Sequence, residues 1–345
     1  MMPGYEQMTS FENLYWAHRA ARRSKRYKRE VISFELRLSE NLIDMQNQML
    51  AQEYRPGDYQ CFTIYEPKER LIYAPSYRDR VVQHCLCDNI LAPMLDRRLI
   101  YDNSACRFGK GTHFSLYRLS DFMRRQYKES GTRGYFLKCD IAKYFENINH
   151  SVLLTKLRRV FSGAPLLEML GRVIDSYQSA PGRGLPLGNQ ASQWFAIYYL
   201  DSLDRLVKER LGIRWYTRYM DDFILIHADR GYLKECLAAM TEHIEGDLGL
   251  RFNAKTQIHH LTNGINYLGF HLYLTDSGRV LRRLTSRRRA EIRKALEALH
   301  LQHDGGMISE RDFQNRLASY RGHLKHGHEQ GLMKLATYKA TTREG

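Results

Sequence analysis

The chain has 345 residues, more than one average domain, so we expect two or three subdomains around a shared core. Hydrophobic residues make up 43% and aromatic residues 12%, which excludes a disordered protein. The 53 Lys and Arg residues outnumber the 38 Asp and Glu residues, and the resulting formal charge of +15 indicates a polyanionic partner, with nucleic acid the leading candidate.

The six cysteines include no CxxC pair, so we expect reduced thiols and no zinc site. No run approaches the roughly 18 apolar residues that a membrane helix needs, and the N-terminus has no signal-peptide core. We therefore expect a cytoplasmic protein with no membrane partner.

The first predicted elements are helices over residues 10–53, where apolar residues recur at helical spacing. Seven Lys and Arg residues lie within 19–29, which is consistent either with a solvated helix face or with contact to phosphates. From residue 55 the pattern changes, and strands over 60–65 and 70–74 are predicted to form a hairpin before an apolar helix over 81–95.

A second group of elements is predicted around acidic residues. A strand over 135–139 ends at Asp140, and a helix begins near Asn149. The loop 181–189 precedes a long helix predicted from about 192 to 211. Strands over 214–218 and 223–227 flank a tight turn that contains Asp221 and Asp222. A helix over 231–248, a strand pair over 265–274 and a basic helical tail from about 285 complete the prediction.

Asp221 and Asp222 at a hairpin tip have two interpretations. Asp is common in turns, so the pair is consistent with an ordinary turn. Alternatively, both carboxylates meet Asp140 on a common side, and clustered carboxylates require either protonation or a divalent cation. Magnesium prefers carboxylate and phosphate oxygens, so three acids in a basic chain indicate a site for metal ions and a triphosphate. Two ions about 3.5–4 Å apart would activate the attacking hydroxyl and stabilise the leaving oxygen.

Five segments carry a family resemblance. Residues 136–145, which include Asp140, resemble motif A of reverse transcriptases, and Arg218-Tyr-Met-Asp-Asp-Phe223 resembles motif C. Residues 185–193 resemble motif B, residues 252–256 motif D, and residues 267–270 the primer-grip motif E. The order of the motifs is that of the family, and the resemblance covers about residues 55–330.

The resemblance implies an α+β fold shaped as a right hand. We expect a basic helical extension over 1–54, fingers over 55–134, a palm over 135–274, and a helical thumb over 275–345. The palm would hold a ferredoxin-like antiparallel sheet, with a finger-contributed insertion around 150–190.

The resemblance also implies the site residues. Asp140, Asp221, Asp222 and Lys255 would be catalytic, with Lys255 assisting the leaving pyrophosphate, and two Mg²⁺ ions would be held by Asp140, Ile141, Asp221 and Asp222. The residues expected to bind the deoxynucleoside triphosphate are Lys68, Arg70, Tyr144, Phe145, Leu187, Gly188, Ser192 and Gln193. Phe145 matches the position whose bulk excludes a 2′-hydroxyl, and Lys68 and Arg70 match triphosphate-clamping positions. The alternatives are a core aromatic for Phe145 and solvated surface charges for the cations.

Motif B departs from the commonest pattern because Leu187 replaces a Gln and Gln193 replaces a Pro. This variant resembles the reverse transcriptases of diversity-generating retroelements, as do residues 65–72, 79–84, 105–113 and 319–323. That family copies a template-repeat RNA into cDNA with frequent errors opposite adenine. The implied partners are template RNA, primer or cDNA, deoxynucleotides and a small basic accessory protein oligomer.

Three other functions are weighed against this one. An antiviral-defence or retron-like bacterial reverse transcriptase would share the chemistry and use a different RNA, although retron enzymes usually keep Gln before the motif B glycine. A catalytically silent RNA-binding scaffold would keep the fold, but the three acids argue against it. An RNA-dependent RNA polymerase is disfavoured by Phe145 at the position that excludes a 2′-hydroxyl.

Overall fold

The computed structural model describes residues 4–65 and 69–337, apart from the side chain of Gln7. The N-terminal region is helical, as predicted: α1 is Tyr5–Met8, α2 Phe11–Ala21, α3 Arg29–Leu36 and α4 Leu38–Leu50. Ser10 caps α2 by accepting a hydrogen bond from the backbone N–H of Asn13. The apolar face of α2, including Leu14 and Ala17, is buried. Most cations of 19–29 are exposed, which leaves a positive face on this region.

The predicted fingers hairpin is present. Strands β1 (Gln60–Ile64) and β2 (Arg70–Ala74) pair antiparallel, with Phe62 opposite Ile72. The apolar segment after them forms α5 (Tyr77–Leu86) and α6 (Ala92–Leu95), joined by a π-helical turn over Cys87–Leu91. Helix α7 (Thr112–Ser130) follows, in a segment for which the sequence analysis predicted no helix.

The palm sheet contains β3 (Tyr135–Cys139), β4 (Trp215–Tyr219), β5 (Asp222–His227) and β6 (Gln257–His260). Its strand order is β4-β5-β3-β6 and every pairing is antiparallel. Two helical connections, one between β3 and β4 and one between β5 and β6, give this order the ferredoxin-like topology. The sheet confirms the predicted α+β fold and its palm.

Side chains alternate across the palm sheet, and apolar side chains are buried on both of its faces. Phe136, Ile224 and Ile226 pack into a core shared with α7 and the C-terminal helices. Leu137 and Leu225 point the other way, into the larger core that reaches the N-terminal helices. The sheet is therefore clamped between two apolar layers, which fixes the positions of its strand ends.

The connections of the palm are helical. Between β3 and β4 they are α8 (Tyr144–Asn147), α9 (His150–Arg158), α10 (Ala164–Asp175), α11 (Gln190–Tyr199) and α12 (Asp201–Arg205), which a π-helical turn over Leu206–Arg210 extends. Helix α13 (Arg230–Gly246) lies between β5 and β6. The helix predicted from about 192 to 211 thus begins earlier, at Gln190, and is interrupted at Leu200, where the backbone leaves the helical region at ψ 8°.

A second sheet joins the palm to the C-terminal helices. It contains β7 (Ile265–Tyr267), β8 (Phe270–Leu274) and β9 (Val280–Leu284) in the order β7-β8-β9. Helices α14 (Ser286–Asp304), α15 (Glu310–Leu324) and α16 (Gln330–Thr337) follow. The predicted boundary between palm and thumb, at 274/275, falls between two paired strands. No helix in the described part of the chain is long and apolar enough to cross a membrane.

Three histidines connect α7 to the C-terminal helices. The His113 ring stacks on the His326 ring with centroids 3.4 Å apart, and the His323 ring lies 6.1 Å from that of His113. Burial lowers the pKa of all three, and the nearby positive charges of Lys325, Arg282 and Arg288 act in the same direction. We refer to His113, His323 and His326 as the three-histidine contact.

Candidate active site

The turn between β4 and β5, residues 219–222, carries the two adjacent acids and is called the catalytic turn below. Met220 adopts a positive φ of 55°, and Tyr219 pairs with Asp222 across the turn. Cys139 pairs with Phe223, so the residue after Cys139 lies beside the residue before Phe223. The register of the sheet therefore brings Asp140 next to Asp222 without any long-range adjustment.

Burial and the repulsion between neighbouring acids both shift the pKa values of the two aspartates in the catalytic turn. Burial raises the pKa of Asp221, and the charge of Asp140 adds to the rise while Arg70 opposes it. Burial also raises the pKa of Asp222 to about 6, with Lys138 opposing the rise and the charges of Asp140 and Asp221 adding to it. Ionisation of these acids therefore costs free energy at this end of the sheet, and a bound cation would lower that cost.

Asp222 has a partner that the sequence analysis did not identify. The Lys138 ammonium lies 3.6 Å from Asp222 Oδ2 and donates a hydrogen bond to the carbonyl of Asn266, at 2.7 Å. Asp222 Oδ1 is buried and accepts no hydrogen bond from the described residues. Among residues 4–65 and 69–337, no group of three or more His, Cys, Asp or Glu side chains is arranged to hold a metal ion. Lys138 thus supplies a positive charge beside Asp222, at the end of the sheet where Asp140 also lies.

Beneath the catalytic turn lies a fully buried ion pair, Arg218 with Asp204 on α12. The guanidinium donates to both Asp204 carboxylate oxygens, at 2.7 and 2.6 Å, and the Tyr216 hydroxyl donates to the same carboxylate at 2.6 Å. Neither charged side chain is exposed to solvent. Arg218 also donates to the carbonyl of Met220, at 2.9 Å, and this hydrogen bond stabilises the residue that has a positive φ. The buried charge fixes the backbone of the turn from below.

The segment after β3 is braced by residues of motif D. The Asn253 N–H donates to the carbonyl of Asp140 at 2.7 Å. The Ala142 N–H donates to the carbonyl of Arg251, the residue before motif D, at 2.9 Å. Neither bond uses the carbonyl of Ile141, whose side chain is buried. Lys255 is exposed on this motif D loop, where its backbone N–H donates to the Asn253 side chain at 3.1 Å.

Motif B packs against the fingers hairpin. The Leu187 carbonyl accepts a hydrogen bond from the Tyr73 N–H at 2.8 Å, and the Leu187 side chain is half-buried. Gly188 has φ 109°, and a Cβ there would lie 2.7 Å from Ile72 Cγ2. Glycine is thus required because the loop touches β2. The sequence predicted that Gly188 binds the nucleotide, but not that it contacts this strand.

The helix after motif B starts earlier than the sequence analysis placed it. Asn189 is the N-cap, accepting hydrogen bonds from the backbone N–H groups of Ala191 and Ser192. Ser192 is buried within α11, whereas Gln193 is exposed and accepts a hydrogen bond from the Cys106 thiol at 2.9 Å. Of this pair, Gln193 is the side chain that can reach a ligand from the surface.

The remaining predicted nucleotide contacts divide into two groups. Arg70 is exposed at the start of β2, and its effect on the pKa of Asp221 shows that it lies near the acids. Phe145 is half-buried, and its carbonyl accepts a hydrogen bond from the Leu185 N–H of motif B at 2.8 Å. Tyr144 instead is buried and donates to the carbonyl of Ala196 on α11, at 2.5 Å. Lys68 lies outside the described residues.

The supporting residues Lys138, Asp204 and Arg218 were not predicted from the sequence. Arg218 lies in the motif C segment, where a charge at an inward strand position, on the same side as Tyr216, was an available signal. Asp204 and Lys138 gave no comparable signal, since their partners are set by the tertiary fold. Two acid-bearing segments at one end of a ferredoxin-like sheet, beside the hairpin that carries Arg70, are the arrangement typical of template-directed nucleic-acid polymerases.

The comparisons with known proteins identify the family within that class. Residues 66–272 match the family model described as reverse transcriptase (RNA-dependent DNA polymerase), and this range is more than half of the chain. The chain therefore belongs to the reverse transcriptase family, whose members are RNA-directed DNA polymerases.

Individual proteins resemble the chain less closely. Protein YkfC of Escherichia coli (strain K12) is 24% identical, over 69% of this chain and 72% of that protein. A telomerase from Candida albicans, solved with a fragment of telomeric RNA, has a TM-score of 0.48 and 17% identity, covering 67% of this chain and 46% of its own. A truncated Candida tropicalis telomerase has a TM-score of 0.48 and 14% identity, covering 69% and 58%. The chain spans about half the length of these telomerases, and similarity at this level adds nothing to the family assignment.

Proposed function

We propose that this protein copies a template-repeat RNA into error-prone, adenine-mutagenised cDNA, as the reverse transcriptase of a diversity-generating retroelement. The observation that carries the polymerase part is the sheet register, which brings Asp140 beside Asp221 and Asp222 at an end of the palm that Arg70 faces. The narrower role depends on the motif B variant with Leu187. We further propose fingers over 55–134, a palm over 135–274 and a thumb over 275–345.

The acids suit a magnesium-dependent reaction. Burial raises the pKa of Asp221 and Asp222, and the buried Asp222 Oδ1 accepts no hydrogen bond from the described residues, so a bound cation would stabilise both carboxylates in their ionised form. Mg²⁺ usually takes one or two protein carboxylates and completes its shell with water and substrate phosphates, so a preassembled three-ligand cage is not required. Asp140, Asp221, Asp222 and the Ile141 carbonyl would hold two such ions, which activate the primer hydroxyl and stabilise the leaving pyrophosphate when bound.

Residues around the acids would select and orient the nucleotide. Arg70, together with Lys68, would bind the triphosphate through charge-assisted hydrogen bonds. Phe145, anchored against motif B, would exclude a 2′-hydroxyl by its bulk. Lys255, exposed on the motif D loop, is free of the core and would reach the leaving group as a proton donor or a positive charge.

Leu187 gives a physical reason for low fidelity. A Gln at this position donates and accepts hydrogen bonds, whereas a Leu side chain does neither, so selection for a correctly paired nucleotide is weakened. We expect Leu187→Gln to lower misincorporation opposite adenine on a defined RNA template. Leu187→Met, which keeps the site apolar and of similar size, is the matched control and should keep the error spectrum. An unchanged spectrum in Leu187→Gln would contradict this explanation of low fidelity.

The partners follow from charge. Exposed cations of residues 19–29 and of the thumb would hold RNA through its phosphates, giving a ribonucleoprotein without sequence reading. The expected accessory oligomer is itself basic, so we propose that it meets this +15 chain through RNA lying between them, since two positive surfaces repel.

Purification with bound nucleic acid tests the whole proposal. We expect the double variant Asp221→Asn, Asp222→Asn to lose RNA-templated DNA synthesis while keeping its bound RNA, and Asp58→Asn, an exposed acid in the fingers region, to keep both. Synthesis that survives in the double variant would refute the polymerase assignment and favour a silent RNA-binding scaffold. Sequencing of the cDNA that copurifies with wild type should show substitutions at adenines; their absence would favour a defence or retron-like enzyme.

A further inference from the structure

The segment that precedes α7 is attached directly to the strand that leads into the catalytic turn. The Ser104 N–H donates to the Arg218 carbonyl at 3.1 Å, and the Arg218 N–H donates to the Asp102 carbonyl at 3.1 Å. The bridge between Asn103 and Arg218 is parallel, so this segment runs in the same direction as β4. The loop that follows, residues 105–111, therefore leaves at the end of the sheet that carries the acids.

The loop 105–111 also touches motif B and is held firmly. Cys106 bonds to Gln193 through the contact described above. Arg107, with only 7% of its side chain exposed, donates to Asp96 Oδ1 at 2.5 Å and to the carbonyls of Ile100 and Asn103 at 2.6 and 2.9 Å. These bonds fix the backbone immediately before Phe108. The ring of Phe108 is thus presented by an anchored loop.

Phe108 is the most exposed of the large apolar side chains in the described ranges, with a relative exposure of 104%. Tyr101, 63% exposed, lies on the same stretch of chain, and the Lys110 ammonium lies 4.2 Å from the centroid of its ring. We call Tyr101, Phe108 and Lys110 the aromatic loop. Exposed aromatic rings combined with positive charge are the composition of surfaces that stack on the bases of single-stranded nucleic acid.

A protein partner is disfavoured by the same observations. Apolar contacts between proteins need a contiguous patch of several hundred Å², whereas Phe108 protrudes alone, followed by Gly109 and the cationic Lys110. Positive charge next to a single protruding ring matches a ligand that alternates flat bases with phosphates. The position of the loop, beside the catalytic turn and motif B, is where such a ligand has to pass in a polymerase.

We propose that Phe108 stacks on a nucleobase of the bound nucleic acid next to the catalytic turn, while Lys110 faces the adjoining phosphate. The inference rests on the proposed polymerase function, because that function brings primer and template to this end of the sheet. The stacked base belongs to either the template RNA or the primer strand, which present the same chemistry to the ring. The site stabilises the bound strand and takes no part in the chemical step.

The test uses the full chain and a primer–template that carries 2-aminopurine, whose fluorescence falls when it stacks. One series places the probe in the template near the primer end, and the other places it at the primer terminus. We expect wild type to quench the probe in one series, and Phe108→Ala to restore its fluorescence and to weaken binding at least about fivefold. Phe108→Trp should retain both quenching and affinity.

Leu36→Ala is the matched control, because Leu36 is an 81% exposed apolar side chain in the N-terminal region, away from the palm sheet. It should change neither affinity nor fluorescence. Phe108→Ala with wild-type affinity, or with unchanged quenching in both series, would overturn the proposal. The polymerase assignment is tested separately, by DNA synthesis in the double variant Asp221→Asn, Asp222→Asn. The fluorescence and affinity measurements are made without added deoxynucleotides and so report binding alone.

Discussion

Replacing Asp204 with Asn tests the buried support of the catalytic turn. The substitution keeps the size of the side chain and removes the charge that compensates Arg218, whose guanidinium is fully buried. An Asn amide also directs N–H groups where the carboxylate accepted bonds from Arg218 and Tyr216. Removing one partner of a buried ion pair costs about 3–5 kcal/mol, because the other charge is left uncompensated. We expect the free energy of unfolding of Asp204→Asn to fall by that amount.

A double variant separates stability from positioning. Asp204→Leu combined with Arg218→Met removes both charges, and apolar replacement of a buried ion pair is often neutral for stability. Met cannot donate to the Met220 carbonyl, so the turn loses the bond that holds it. We therefore expect the double variant to recover most of the stability lost by Asp204→Asn and to remain slow in nucleotide addition.

Two measurements decide the matter. Urea unfolding followed by fluorescence reports stability, and single-turnover extension of a saturating primer–template reports the rate of nucleotide addition. Glu209→Gln, which breaks the exposed pair with Arg205 nearby, is the control and should cost less than about 1 kcal/mol. The reasoning is refuted if Asp204→Asn stays within about 1 kcal/mol of wild type, or if the double variant extends primers at the wild-type rate.

Three further predictions concern other parts of the molecule. Phe145→Ala should raise incorporation of ribonucleotides relative to deoxynucleotides at least about tenfold, measured on paired templates, and an unchanged ratio would make Phe145 an ordinary core aromatic. Gly188→Ala should lower stability by about 1–3 kcal/mol because its Cβ would strike Ile72, whereas Gly171→Ala, with open space around it, should be neutral or better in the same urea titration. The pKa values of the three histidines in the three-histidine contact are lowered in the folded protein, so the unfolded chain binds more protons. The free energy of unfolding should therefore fall as pH drops below about 6.5, the ordinary pKa of histidine. Replacing His113 with Phe should flatten that part of the pH profile of thermal unfolding; a profile identical to wild type would exclude the contact as its source.

The sequence predicts those elements whose signal is local. Strands β3, β4 and β5 combine apolar runs with acid-bearing ends, and each was placed within a residue or two of its observed bounds. Strand β6 was missed because Gln257–His260 is polar and pairs with β3 only through contacts far apart in the chain. Strand β9 was missed for a similar reason, since it carries two arginines among its five residues and depends on β8 for its pairing.

The same distinction between local and long-range signals applies to the residues of the site. The neighbouring positions of Asp140 and Asp222 follow from strand register, which motif spacing anticipates. The burial of Tyr144 does not, because it depends on where α11 packs, and its hydroxyl bonds to the backbone of that helix. Lys138 was unpredictable in the same sense, because its contact with Asp222 needs the palm sheet and its hydrogen bond to Asn266 needs the second sheet as well.

The contact between motif B and β2 makes two separate parts of the chain mechanically dependent on each other. A two-stranded hairpin is marginal by itself in water, and here it takes support from the Leu187 carbonyl and from the close approach of Gly188 to Ile72. Arg70 begins the same strand. Substitutions in motif B therefore also strain the strand that Arg70 begins, so the loop and the hairpin behave as one mechanical unit.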